Sequence, residues 1–123
     1  MNNFESPLDF DIVNKMGDVE IVFSDLTEIS QGGPKVGSIS INGKMIKGRY
    51  GGPILIANSY IYAPAHIKRL LGTAFRISSI NAVTLEIIYI GKSMNLIWLD
   101  KIEDNQIYFF EDINKIHLKC ENL

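Results

Sequence analysis

Cysteine is almost absent. Cys120 is the single one in 123 residues, so no internal disulfide can form and the chain suits a reducing compartment. Histidine is nearly as scarce, with only His66 and His117. A structural zinc site takes four N or S ligands and a catalytic one usually three protein ligands. His117 and Cys120, three positions apart, fall on opposite faces of a strand, and no metal is expected. No apolar run comes near the roughly 20 residues that cross a bilayer. The opening MNNFESPLDFD has no basic start, no apolar h-region and no small-residue cleavage site. Neither a membrane span nor a secretory signal is expected, which places the chain in the cytoplasm. Motifs are missing too. No G-x-S-x-G surrounds a serine and no G-x-x-x-x-G-K-[ST] occurs. Gly32, Gly33, Gly48, Gly51 and Gly52 lie between strand-like runs and lead into no helix that would hold a phosphate. Neither a cofactor nor an enzymatic activity is expected. A pI near 5.6 speaks against direct nucleic-acid binding.

What the chain has instead is short apolar runs closed by turn residues. From Val83 to Asp112 it reads VTLEIIYIG, KSMNLIWLDKI and EDNQIYFFED, with breaks at Gly91-Lys92 and Asp104-Asn105. Runs of this length, rich in Ile, Tyr, Trp and Phe and bounded by Gly, Asn and Asp, predict an antiparallel meander. By parity Met94, Leu96, Trp98 and Ile102 share one face, while Ile97 and Leu99 take the other. Ile107 and Phe109 likewise oppose Tyr108 and Phe110. Both faces are then apolar, unlike a sheet wetted on one side. Either the second face is covered by another sheet or the N-terminal segment, or part of it awaits a partner.

Upstream, Leu8, Phe10, Ile12 and Val13 suit an early strand or a docked arm, and Val19 to Phe23 alternates as a half-exposed strand. Asn42-Gly43, inside Val36 to Ile46, is the clearest local signal: a type I′ hairpin turn. Its return strand, Lys44 to Tyr50, carries Lys44, Lys47 and Arg49, as an exposed edge would. Ile54 to Ala57 and Tyr60 to Ala63 pair around Asn58-Ser59. Residues 65–71 are ambiguous: Ile67, Leu70 and Leu71 have helical spacing behind Pro64, with Gly72 as the stop, and a strand competes. Thr73 to Ile80 reads as a strand and Ile113 to Leu118 as a closing one. With Ile116 and Leu118 on its own parity, Cys120 is expected to pack as a small hydrophobe. The whole predicts one all-β domain over residues 1–123, an antiparallel β-sandwich or partly open barrel of about eight to ten strands, with at most one short helix.

Charge is unevenly spread. Residues 1–30 carry −6, residues 31–99 carry +7 and residues 100–123 carry −3. Neighbouring strands of opposite sign would interleave these segments; the alternative is a coherent acidic face that steers a basic partner. Asp100, Glu103, Asp104, Glu111 and Asp112 flank the Asp104-Asn105 hairpin, and Tyr108 lies between them. With Tyr60, Tyr62 and Phe110 as further aromatics, this is the composition of an interface: aromatic anchors ringed by charge. Asp104 is also a normal turn residue. His66 beside Lys68 and Arg69 reads as a solvated basic turn or an anion contact.

The stretches GGPILIANSYIYAP and IWLDKIEDNQIYFFEDI resemble small all-β bacterial immunity proteins, the inhibitors that neutralise toxin domains of contact-dependent growth inhibition and related polymorphic toxin systems. The resemblance covers roughly residues 51–113. It implies a non-enzymatic protein that binds one cognate toxin, often a nuclease, over or beside its active site, with acids standing in for substrate phosphates. Two other readings remain open: a small-ligand-binding β-barrel lined by aromatics, and a structural or assembly subunit pairing through an edge such as Lys44–Tyr50.

Overall fold

Period-two alternation runs through most of the chain, and the computed structural model, which describes residues 5–69 and 72–123, folds it into twelve strands. In order these are β1 (Val13–Met16), β2 (Val19–Glu28), β3 (Lys35–Ile41), β4 (Lys44–Met45), β5 (Arg49–Tyr50), β6 (Leu55–Ala57), β7 (Tyr60–Lys68), β8 (Thr73–Asn81), β9 (Ile87–Met94), β10 (Trp98–Glu103), β11 (Gln106–Phe110) and β12 (Leu118–Asn122). The first nine form one antiparallel sheet, ordered β1-β2-β3-β5-β7-β8-β9, with β4 beside β3 and β6 beside β7. The last three form a second sheet, β10-β11-β12. No helix occurs among the described residues and neither sheet closes into a barrel. The result is an open β-sandwich.

The large sheet curls over itself. Ile21 and Phe23 of β2 and Ile39 and Ile41 of β3 share a core with Ile61 and Ala63 of β7 and Ile80 of β8. On the opposite face of β7 and β8, Tyr62, Phe75 and Ile77 form a second core with Ile97, Leu99, Ile107 and Phe109, so the small sheet packs there. The central strands are thus apolar on both faces, as strands covered twice must be. Phe10 docks the N-terminal arm into the first core, its ring 4.8 Å from that of Phe23. Tyr50, also in that core, donates its hydroxyl to the carbonyl of Lys47 at 2.7 Å, and burial pushes its pKa up to about 12.

A bulge turns the corner of the large sheet. Asp25 and Leu26 of β2 both stand opposite Gly37 of β3, because the register jumps between Ser24 and Thr27. Asp25 adopts φ 53° to do so. The Arg49 guanidinium ties the kink together, donating to the carbonyls of Asp25 (2.7 Å) and Val36 (3.2 Å) and to the hydroxyls of Thr27 and Ser38.

Three hairpin turns lie where the residues require. Asn42 and Gly43 (φ 49° and 84°), Asn58 and Ser59 (52° and 65°), and Asp104 and Asn105 (52° and 60°) all take the left-handed backbone of two-residue hairpins. Other expectations are corrected. Gly91-Lys92 is not a hairpin: β9 runs through it, and Gly91 (φ 72°) sits in a bulge, with Arg76 Nε donating to its carbonyl at 2.7 Å. The chain breaks at 95–97 instead, and β9 and β10 belong to different sheets. Of the runs from Val83 to Asp112 only β10 and β11 pair with each other, and β12 extends that pair into a meander. The segment Lys44 to Tyr50 is not one edge strand, because Arg49 and Tyr50 lie inside the sheet between β3 and β7.

The helical alternative for residues 65–71 is overturned through Lys68, which ends β7; Leu70 and Leu71 lie outside the described residues. Pairing decides this. Ala65 and His66 match β5 on one side and Arg76 and Phe75 of β8 on the other. Pro64 is tolerated because its missing donor faces the gap between β6 and β5, where its carbonyl accepts from Gly51 N–H at 2.8 Å. The closing strand begins at Leu118, at the end of the predicted run. Asp112 holds residues 113–117 as a loop by accepting the amides of Ile116 and His117.

Candidate functional site

The six predicted site residues all lie on or beside the small sheet, whose register assigns its faces. Leu99 matches Phe109, and Ile102 matches Ile107; these point into the second core. On the outer face Trp98, Phe110 and Leu118 form one cross-strand row, and Lys101, Tyr108 and Cys120 form the next. Glu103, Gln106 and Asn122 complete the face at the hairpin end. Trp98 and Ile102 therefore do not share a face as parity predicts. Asp100 is the reason: the register shifts between Leu99 and Lys101, and the extra residue reverses the parity beyond it.

No strand of the described chain covers this outer face. Trp98, Tyr108 and Phe110 are half-buried and Leu118 is 50% exposed. Trp98 and Phe110 meet edge to face with ring centres 6.3 Å apart. The Lys115 ammonium sits 4.4 Å above the Trp98 ring centre and 5.7 Å from that of Phe110. Lys101 lies 5.1 Å over Tyr108 and 3.4 Å from the Glu103 carboxylate. These cations screen the rings from water, a cation–π arrangement of about 0.5–1 kcal/mol at exposed sites. Ile113 and Ile116 are exposed in the loop that precedes β12. Cys120 is exposed on the same face, contrary to its expected packing, because nothing covers β12 from outside.

The acids do not form one cluster. Glu103 and Asp104 stand at the hairpin end, and Glu111 and Asp112 at the other end of β11, on the order of 17 Å away at the rise of a strand. Asp100 projects from the bulge between them. Glu111 pairs with Lys119 at 3.5 Å, and Asp112 holds its own loop. The arrangement is a rim around an aromatic row. Tyr60 and Tyr62 do not join it: both lie on β7, and Tyr62 is buried in the second core.

Trp98, Lys115 and Leu118 belong to the site although sequence reasoning did not assign them. One signal was present. Counting back from the two-residue turn at Asp104-Asn105 without a bulge would set Asp100 opposite Phe109, a carboxylate on a core face, and that conflict marks where the extra residue must sit.

His66 is neither an anion contact nor part of a basic turn. Its ring lies 5.5 Å from that of Phe75, and its Nε2 is shut off from solvent with no hydrogen-bond partner. Burial lowers its pKa below 6.5, and the Arg49 and Lys68 charges push the same way. The folded state thus favours neutral imidazole. Its contribution to stability is complete above pH 6.5 and is lost as the pH falls from there through the depressed folded value. Urea midpoints are expected to decline over that window in the parent chain and to decline less in His66→Phe; parallel profiles would refute this.

Among the described residues no group of three or more His, Cys, Asp or Glu side chains is placed to hold a metal ion, and no helix is long and apolar enough to cross a membrane. No protein-family model, no curated protein and no solved structure matches this chain.

Proposed function

We propose that the chain is an immunity protein: a non-enzymatic inhibitor that acts in the bacterial cytoplasm by binding a cognate toxin domain, a basic nuclease, and occluding its active site. The observation that carries this reading is the uncovered face of β10-β11-β12. It presents the row Trp98, Phe110 and Leu118 with Tyr108 beside it, bordered by Asp100, Glu103, Asp104 and Glu111. Aromatic groups at the centre with charge at the rim is the anatomy of a tight protein interface. The net −3 of residues 100–123, now gathered on one sheet, supplies the field that steers a basic partner. Asp112 contributes charge but is committed to its loop.

The competing readings lose their supports. A ligand-carrying barrel needs a closure that this sheet lacks, and the edge on which strand-to-strand assembly relied has Arg49 and Tyr50 in the sheet interior. His66, with an enclosed Nε2, and His117, in an exposed loop, converge on no common carboxylate.

The test is binding to a panel of purified basic RNase and DNase toxin domains, with rescue of growth on co-expression. One partner is expected to bind tighter than about 1 μM. Trp98→Ala should weaken that complex by on the order of 30-fold or more, as loss of a central aromatic does. Charge reversal at Asp100 and Glu103 should slow association and flatten its salt dependence. No complex tighter than micromolar across the panel would overturn the proposal.

A further inference from the structure

Three lysines stand on the small sheet and the loop before β12: Lys101, Lys115 and Lys119. Lys101 pairs with Glu103, and Lys119 with Glu111. Lys115 pairs with no carboxylate among the described residues. Its ammonium instead lies 4.4 Å from the ring centre of Trp98 and 5.7 Å from that of Phe110. Rings rather than a counter-ion hold it there, because the negative face of an aromatic ring attracts a cation.

The rings and their occupant are anchored very differently. Trp98 and Phe110 stand directly opposite on β10 and β11, and their sequence neighbours Leu99 and Phe109 are buried in the second core. Packing on the inner face thus fixes the backbone that carries the rings. Residues 113–117, which carry Lys115, are exposed throughout. The side chain that ties this loop down is Asp112, which accepts the amides of Ile116 at 3.1 Å and His117 at 3.4 Å. Lys115 itself takes φ 54°, a backbone that an L side chain disfavours. Segments with so little buried contact open most readily. The occupant can leave while the rings stay in place.

The surroundings favour a second cation. Residues 100–123 carry a net −3 even with Lys115 counted, and Asp100, Glu103, Asp104 and Glu111 border the aromatic row. A basic surface drawn to this rim finds the rings already filled by the chain's own ammonium.

We propose that Trp98 and Phe110 form a cation-binding site, filled by Lys115 in the free chain, which a lysine or arginine side chain of the partner takes over as residues 113–117 swing away. This rests on the reading of the outer face as the partner interface, and adds what the partner places there. Binding is then an exchange of one cation for another on the same two rings.

Trp98 is the only tryptophan, so its fluorescence reports the site directly. The probe is choline, compared at constant ionic strength with its neutral isostere, in which carbon replaces the quaternary nitrogen. Lys115→Gly vacates the site, and glycine keeps the positive φ without strain. Choline is expected to shift Trp98 emission in Lys115→Gly at a concentration roughly two- to fivefold lower than in the parent, the factor that an exposed cation–π contact represents. Lys115→Arg, which keeps a cation on the loop, should match the parent. Adding Phe110→Leu to Lys115→Gly should weaken the choline response, with circular dichroism checking that the fold persists. Equal choline binding by the parent and Lys115→Gly, or an equal response to the isostere, would overturn the proposal. In complex with a toxin domain, Lys115→Gly should tighten binding by a similar factor; a weaker complex would mean that Lys115 serves the partner itself, which also sinks the exchange. Choline binding as expected with no toxin partner found would support the cation site and remove the immunity reading alone.

Discussion

Phe109→Ala is expected to lower the unfolding free energy by about 3–5 kcal/mol, the cost of emptying a fully buried aromatic site. Phe109 is 1% exposed in the second core, among Leu99 and Ile107 of its own sheet, Ile97 just before β10, and Ile77 of the large sheet. The loss should therefore fall on the contact between layers. Hydrogen exchange in the variant is expected to accelerate first in β10, β11 and β12, with β2 and β3 protected longest. Phe110, one residue on, points outward under Lys115. Phe110→Ala should cost on the order of 1 kcal/mol, yet weaken the complex proposed above. Urea denaturation of the two variants decides the matter: if Phe110→Ala proved the more destabilising, the assignment of faces on β11 would be wrong.

Gly37→Ala is expected to be nearly as damaging, though it adds only a methyl group. A Cβ at this position would stand 2.5 Å from the Ser24 carbonyl oxygen and 2.9 Å from Leu26 Cδ2. The nearest obstacle is backbone, on the bulge that Arg49 ties down, so it cannot swing aside. Overpacking of this sort costs about 1–3 kcal/mol or more, which at this size lowers Tm by roughly 5–15 °C. Gly52→Ala makes the comparison. Its Cβ would meet the Phe10 ring at 2.6 Å, but Phe10 belongs to the N-terminal arm, which can retreat from its dock. Calorimetry should place Gly52→Ala between the parent and Gly37→Ala. A Gly37→Ala protein as stable as the parent would mean that the sheet does not turn its corner at this bulge.

Much of the local architecture was legible in the residues. Asn42-Gly43, Asn58-Ser59 and Asp104-Asn105 each carry a residue type that tolerates positive φ, and a two-residue turn fixes the pairing on either side. Alternation correctly set Ile107 and Phe109 on the face opposite Tyr108 and Phe110, without saying which of the two is inward. The misreadings cluster where an irregularity spans only one or two positions. Gly91 looks like a turn glycine whether it reverses the chain or bulges within β9; the difference is made by β8 continuing beside it and by Arg76 taking its carbonyl. Asp100 hides a parity change in an apolar run. The candidate site was half legible for the same reason: the acids flanking the hairpin were visible, but the row formed by Trp98, Phe110 and Leu118 exists only once that bulge is counted.

By itself, the order of apolar, polar and turn residues determined an all-β antiparallel chain and the sites of its tight hairpins, because each depends on the backbone preferences of neighbours in sequence. Tertiary structure alone decided that β9 and β10 part into different sheets, that Arg49 and Tyr50 lie inside the large one, and which face of the small sheet stays open. Those outcomes depend on which apolar faces cover one another across the sandwich. That is a competition between surfaces distant in sequence, and a change of one residue in register reverses it.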